Sequence, residues 1–248
     1  MLNSKYNKIG VVILAAGKGT RLGCVDIPKV MLEIGGRPIV SYIVDTLEAM
    51  GFDSSIICLV VGFQKEKVME YFGERVSYAA QEELLGTAHA AFTGMKVLPK
   101  EVEEVLVIGG DDSAFYTAGT LFKFLDSHTG STAVLSLLTA EIEHPEQLGR
   151  IVRQGGIAEI IEKEYLTEEQ KKIKEISTGT FVLNRAWFEE MFPRMPKLRK
   201  LGEFGLPTAL AMARNENKPH QLIKMENPDE WFGVNTPEEL KEAERRKL

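Results

Sequence analysis

Cysteine is scarce in this chain: Cys24 and Cys58 are the only two among 248 residues. They form no C-x-x-C pair, and no histidine stands at zinc spacing from them. A disulfide framework or a structural zinc site is therefore not expected, and the compartment is expected to be reducing. Long apolar runs are missing too. None approaches the ~18 to 20 residues of a membrane span, and the opening MLNSKYNKIG lacks the apolar core of a signal peptide. A cytoplasmic protein with no membrane partner is the expectation. Positive charge is the third shortage: 30 Lys and Arg face 36 Asp and Glu, a net charge of −6, with the basic residues scattered along the chain. That disfavours nucleic acid as a partner. Small phosphorylated substrates stay open, because local cations rather than net charge hold them.

What is present is an ordinary globular composition, 44% hydrophobic, long enough for one large α/β domain over residues 1–248. The stretch that organises it runs from Val11 to Lys29, VVILAAGKGTRLGCVDIPK. Val11, Val12, Ile13 and Leu14 are continuously apolar, as in a strand covered by helices on both faces. The run then breaks into small residues and two glycines, Ala15 to Gly19, whose backbone N–H groups can point at an anion without Cβ atoms in the way. Arg21 and Lys29 flank this loop, and two cations there can neutralise a polyphosphate. Neither of the two best-known glycine loops fits. The third glycine of G-x-G-x-x-G would fall on Leu22, and the spacing of a Walker A loop is absent. On its own, a strand followed by Gly-x-Gly is as compatible with a plain turn as with a phosphate loop.

Beyond the loop, helical spacing is predicted over 39–51, 64–71 and 117–125, and strands over 55–61, 76–80, 105–108 and 132–138. Strand–helix alternation implies parallel strands with right-handed crossovers, and ligands in such sheets lie beyond the carboxyl ends of the strands. Gly17, Gln81 and Asp111 are expected there. Gln81 offers an amide that can pair with a base edge, or it is a surface residue; Thr87 can cap the next helix; His89, between two alanines, reads as packed. Asp111 and Asp112 end a strand, where a carboxylate can bind Mg²⁺ or simply form a turn. After residue 140 the strands are short, 149–152, 157–162 and 176–183, and suggest a small antiparallel extension. Helices are predicted over 168–174, 186–191 and 203–213, with a strand at 221–225. Thr236, Pro237 and Glu239 form a capping box, so Asn235 directly precedes a final helix.

The string L-A-A-G-x-G-T-R-L, followed by Pro28-Lys29, resembles the signature of the sugar-1-phosphate nucleotidylyltransferases, and most closely that of the bacterial N-acetylglucosamine-1-phosphate uridylyltransferases. Further motifs are similar in family order: Q-x-x-x-L-G-T-x-H-A from Gln81, the Gly110-Asp111 pair, Leu148 to Ile151, Ile160 to Lys163, Glu175 to Gly179, and V-N-T-P-E-E-L around Asn235. The resemblance implies a mostly parallel, Rossmann-like three-layer α/β sandwich with a small antiparallel sugar-binding extension. Residues 1–140 would bind the nucleotide and 141–235 the sugar. It implies catalytic roles for Arg21 and Lys29, and nucleotide contacts at Leu14, Ala15, Ala16, Gly17, Gly19, Thr20, Gln81, Gly86 and Thr87. Sugar contacts would fall to Gly109, Gly110, Gly149, Glu162 and Ser177, and Mg²⁺ to Asp111 and Asn235. The reaction implied joins a nucleoside triphosphate, UTP first, to a sugar-1-phosphate and releases pyrophosphate. A cytidylyl- or thymidylyltransferase and a non-catalytic nucleotide-sugar sensor are the alternatives. Two departures lie at the sugar: Ser177 replaces an Asn, and Gly109 an aromatic residue, which predicts a wider, more polar pocket. No hexapeptide repeats follow the last helix, so the acetyltransferase β-helix fused to some relatives is expected to be missing.

Overall fold

The computed structural model describes residues 3–24, 26–146, 148–198 and 202–247. Strand β1 (Ile9–Ala15) is flanked by β4 (Ile57–Val61) and β6 (Glu104–Gly109), both parallel to it, and β5 (Ser77–Ala80) extends the sheet beyond β4. On the other side of β6 come β10 (Glu175–Asn184), β7 (Leu135–Glu141) and β11 (His220–Lys224). The sheet is parallel except at β10, which runs antiparallel to both β6 and β7. A hairpin of β8 (Arg150–Gln154) and β9 (Ile157–Ile161) hangs from the start of β10. A separate small hairpin, β2 (Glu33–Ile34) and β3 (Arg37–Pro38), turns at Gly35-Gly36 and leads into α1.

Helices cover both faces, the three layers expected. Val11 and Ile13 of β1 pack with α1 (Ile39–Ala49), α2 (Lys65–Phe72) and α4 (Ala118–Thr129), whereas Val12 packs with α3 (Thr87–Met95), α6 (Arg185–Met191) and α7 (Pro207–Asn215). The alternation follows from the two-residue period of a strand. It explains why β1 carries no polar position: Val11, Val12 and Ile13 are fully buried, and each contributes about 1.5–3 kcal/mol relative to exposure. The short α5 (Glu168–Lys171) sits beside β8, and α8 (Pro237–Lys247) packs on β2 with a small apolar cluster of its own. No helix among the described residues is long and apolar enough to cross a membrane.

Two expectations need correction. The strand near 176–183 is not confined to a peripheral extension; as β10 it is a ten-residue strand inserted in the middle of the main sheet, between β6 and β7. The antiparallel extension is the β8–β9 hairpin together with the first residues of β10. The helix expected over 203–213 begins only at Pro207, because the Phe204 N–H and carbonyl are taken by Leu85 and Ala88 at the start of α3 and the Leu206 N–H by the Thr87 hydroxyl.

Candidate active site

The carboxyl ends of β1, β5 and β6 lie on one edge of the sheet, and they deliver Gly17, Gln81 and Asp111 to it. Because β10 runs the other way, it is the beginning of that strand, Ser177 to Gly179, that reaches the same edge. The register of β10 against β7 shifts between Ser177 and Phe181, and such a bulge re-aims side chains. Between these ends opens a cleft of about 630 Å³.

One wall is the phosphate-type loop. Leu14, Ala16 and Gly17 line the cleft, and Gly17 faces open space. Ala15, 1% exposed, is turned into the core. Gly19 and Thr20 form the outer turn, where Gly19 packs against Lys29 and Cys24. Arg21 is exposed and its guanidinium donates to Asn235 Oδ1 at 3.3 Å. Lys29 is buried, and its Nζ donates to Asp111 Oδ2 and, at 2.9 Å, to Asn235 Oδ1. The backbone of 232–234 pairs with Asp111 and Asp112 through Phe232 N–H and Val234 N–H, and this is what carries Asn235 to Asp111. Glu239 accepts from the N–H groups of Asn235 and Thr236, at 2.6 and 3.0 Å, and donates its own N–H to Thr236 Oγ1, the predicted capping box.

Asp111 and Asn235 therefore present one carboxylate and one amide oxygen to a common cationic point. That donor set fits Mg²⁺, which takes one or two protein oxygens, waters and substrate phosphates. Among the described residues no cluster of three or more His, Cys, Asp or Glu could hold a metal by itself, so the remaining ligands would come from substrate and water.

Gln81, 4% exposed, and Gly86 line the second wall. Gly86 has φ +100°, and a Cβ there would stand 2.5 Å from the Phe204 carbonyl oxygen. The chain approaches so closely because the segment after Gly202 is zipped onto it: Phe204 N–H donates to Leu85 O at 2.7 Å and Ala88 N–H to Phe204 O at 2.8 Å. We expect Gly86→Ala to lower stability by about 1–3 kcal/mol through left-handed strain and the backbone clash, read as a lower midpoint in urea. An unchanged midpoint would mean that the two loops separate without cost.

The third wall carries Gly109, Gly149, Glu162 and Ser177. Gly149 lies beside Glu162, whose carboxyl is pushed up by burial, with Glu164 adding to it. Arg150, 2% exposed, spends its donors on the carbonyls of Pro145, Leu148 and Ile173, and so holds the turn that presents Gly149. Ser177 Oγ accepts from Gly179 N–H at 3.3 Å. Gly110 does not face the cleft; it is packed under Leu14, Val30 and Val40, with its N–H donated to Leu14 O.

Residues 10–248 match the nucleotidyl transferase family. The chain belongs to this family. It is 35% identical over 242 residues to the bifunctional protein GlmU of Symbiobacterium thermophilum, spanning 96% of this chain and 50% of that protein. With the bifunctional protein GlmU of Bacillus mycoides the identity is 37% over 236 residues, 94% of this chain and 50% of the relative. The chain thus spans about half the length of the curated relatives it matches. Its fold is similar to that of a solved structure from Bacillus anthracis, described as a candidate glucose-1-phosphate thymidylyltransferase in complex with a sucrose. The TM-score is 0.77 at 21% identity, covering 96% of this chain and 95% of that one.

For this nucleotidyl transferase family member the structure also changes three local expectations. Thr87 does not cap α3: Gly86 holds the cap position, and the Thr87 hydroxyl instead accepts from Leu206 N–H at 2.9 Å. The space beside Gly109 is polar but not open, because the Asp112 carboxyl folds back over Gly109 and a Cβ there would collide with it. Asp112 Oδ1 is buried and finds no hydrogen-bond partner among the described residues; burial, with the Asp111 carboxylate adding to it, pushes that carboxyl well above the ordinary range. His89 is more than packing, since its ring reaches the Gln81 amide. The signal was present in the sequence as a histidine one turn into a helix that starts beside Gln81, but a lone His in an apolar helix is more often core.

Proposed function

We propose that the chain joins the nucleotidyl part of a pyrimidine nucleoside triphosphate, UTP first, to a sugar-1-phosphate in the cytoplasm. The observation that carries this reading is the meeting of Lys29 Nζ, Asp111 and Asn235 at one point, with the glycine loop, the Gln81 wall and the Glu162 wall around one cleft. A phosphate oxygen of the sugar phosphate attacks the α-phosphorus of the triphosphate, and the bond to the bridging α–β oxygen breaks, so pyrophosphate leaves. The nucleophile is a phosphate monoester, largely ionised near neutral pH, so no side chain has to remove a proton from it.

The protein's work is positioning and charge. Backbone N–H groups of the loop around Gly17 hold the β and γ phosphates, Arg21 and Lys29 neutralise oxygens that gain charge at the α-phosphorus, and the walls keep nucleophile and leaving group in line. Asp111 and Asn235 would hold Mg²⁺, which supplies further charge neutralisation at the phosphates when bound. A screen of nucleoside triphosphates against sugar phosphates for pyrophosphate release tests the reading. Nucleotide binding with no release for any pair would instead favour a sensor.

At the sugar, a buried carboxyl from Asp112 stands beside Gly109, and Ser177 is shorter than the Asn of similar proteins. Loss of apolar packing and displacement of one amide each cost about 1–3 kcal/mol of selectivity. With UTP constant, kcat/KM for N-acetylglucosamine-1-phosphate, glucose-1-phosphate and N-acetylgalactosamine-1-phosphate is expected to differ by less than about 10³. A larger preference for the first over both others would show that other residues rebuild a strict pocket.

A further inference from the structure

Among the described residues, the side-chain amide of Gln81 is held on its nitrogen side alone. Nε2 lies 3.1 Å from the Gly86 carbonyl oxygen and 2.9 Å from His89 Nδ1. A carbonyl oxygen can only accept, so the atom facing Gly86 must be the nitrogen, and the orientation of the amide is decided without reference to His89. The second amide hydrogen then points at Nδ1, which can receive it only if that nitrogen carries no proton. His89 is therefore the neutral tautomer with its hydrogen on Nε2. Burial, with the Lys96 ammonium adding to it against Glu83, lowers the His89 pKa and favours the same state. The ring also packs near Phe192, 6.2 Å away between centroids.

Both hydrogens of the amide are consumed in this way. Oε1, an acceptor only, is what Gln81 has left for a ligand, and Gln81 borders the cleft. We infer that His89 is a positioning residue: with the Gly86 carbonyl it locks the Gln81 amide oxygen-outward and so sets the choice among pyrimidine bases. The inference rests on the reading that the base lies against Gln81. An outward acceptor matches the N3–H of uracil or thymine and opposes the N3 lone pair of cytosine. Cytosine can offer its amino group to the same oxygen only by sliding along its own edge. The ribose and triphosphate, tethered to the same nucleotide and held at the glycine loop, resist that shift. Without the acceptor at residue 89, one amide hydrogen of Gln81 is left buried and unpaired, and the amide gains a reason to rotate.

The test uses UTP and CTP as probes, with Mg²⁺ present and one sugar phosphate held constant. His89→Phe keeps a ring against Phe192 but removes the acceptor; His89→Asn places a carbonyl oxygen where Nδ1 stood. The ratio of kcat/KM for UTP over CTP is expected to fall about tenfold in His89→Phe, with kcat at saturating UTP within about twofold of the parent. In His89→Asn the ratio is expected to stay within about threefold. A folded His89→Phe variant with the parental ratio, or an equal fall in both variants, would overturn the positioning role while leaving the base at Gln81. Equal use of UTP and CTP by the parent protein, or a preference that survives Gln81→Ala, would overturn the base reading and this inference together. A measurement on the unaltered protein decides the matter even if His89→Phe does not fold. The ¹⁵N shifts of the His89 ring at pH 7.5 are expected to show an unprotonated Nδ1, and a protonated Nδ1 would sink the proposal.

Discussion

Asp111→Ala should lose at least about 10³-fold in kcat while still folding, its urea midpoint lowered by no more than the loss of one charge-assisted hydrogen bond, about 1–3 kcal/mol. The asymmetry follows from where the residue sits. Asp111 stands two residues past the end of β6, and its side chain reaches out of the sheet to Lys29 rather than into either apolar layer. Removing it takes no methylene from the core. It does remove the one carboxylate of the pair of oxygens assigned to Mg²⁺, in a site where a single misplaced or missing stabiliser of developing charge costs about 10²–10³ and a metal supplies several kcal/mol more. Pyrophosphate release measured across a Mg²⁺ titration, alongside a urea melt, separates the two effects. Full Mg²⁺-dependent turnover in the variant would end the assignment. Asn235→Ala, which removes a neutral ligand, should shift the Mg²⁺ requirement upward with a smaller loss at saturation, and an unchanged titration would reduce Asn235 to a turn residue before α8.

Lys29→Met is expected to lower kcat by about 10²–10³, the range for loss of a preorganised charge-stabilising donor, and to weaken the ligand-free protein as well. Met preserves most of the apolar stem, which is buried in the floor of the loop, so packing is largely retained. The ammonium is what disappears. In the folded chain it lies against Asp111, whose side chain is 29% exposed, and it partly offsets the repulsion between Asp111 and the buried Asp112. Losing a charge-assisted hydrogen bond in such surroundings costs about 1–3 kcal/mol. Adding Mg²⁺ should restore part of that stability in Lys29→Met, because a second cation can take over the same two oxygens. Two melts, with and without Mg²⁺, check this; equal midpoints for the variant in both would show that the cation does not bind where Lys29 stood. Steady-state rates with UTP check the catalytic half, and a loss below about tenfold would remove Lys29 from the transition state.

What could be read without coordinates was whatever the chain encodes in neighbours. The run Val11 to Leu14 announced a strand buried on both faces, and β1 sends Val11 and Ile13 into one apolar layer and Val12 into the other. The capping box at Thr236 and Glu239 was legible because its partners stand three residues apart, and it placed Asn235 at a helix start. The glycines of the first loop, the Gln81 segment and the Gly-Asp pair were recognisable as strings, and the parallel topology then required them to gather at one edge.

Contacts between distant parts of the chain were not legible, because no spacing rule links residues that the fold alone brings together. Lys29 meets Asn235 across 206 positions, and the backbone pairing of 232–234 with Asp111 and Asp112 brings them together. Thr87 looked like a cap because the nearest unpaired donors in sequence are those of its own helix; its hydroxyl went to Leu206, 119 residues away. The space at Gly109 was judged from the missing side chain, and whether it stays empty depended on the rotamer of a neighbour three residues on. The direction of β10 had the largest consequence. A short alternating strand carries no mark of whether it will join an edge or enter the centre of a sheet, since that is decided by which neighbour supplies the better apolar faces and free backbone groups. By entering antiparallel between β6 and β7, β10 brings its first residues rather than its last to the cleft, and so turns a second half of the chain into a wall of the site built by the first.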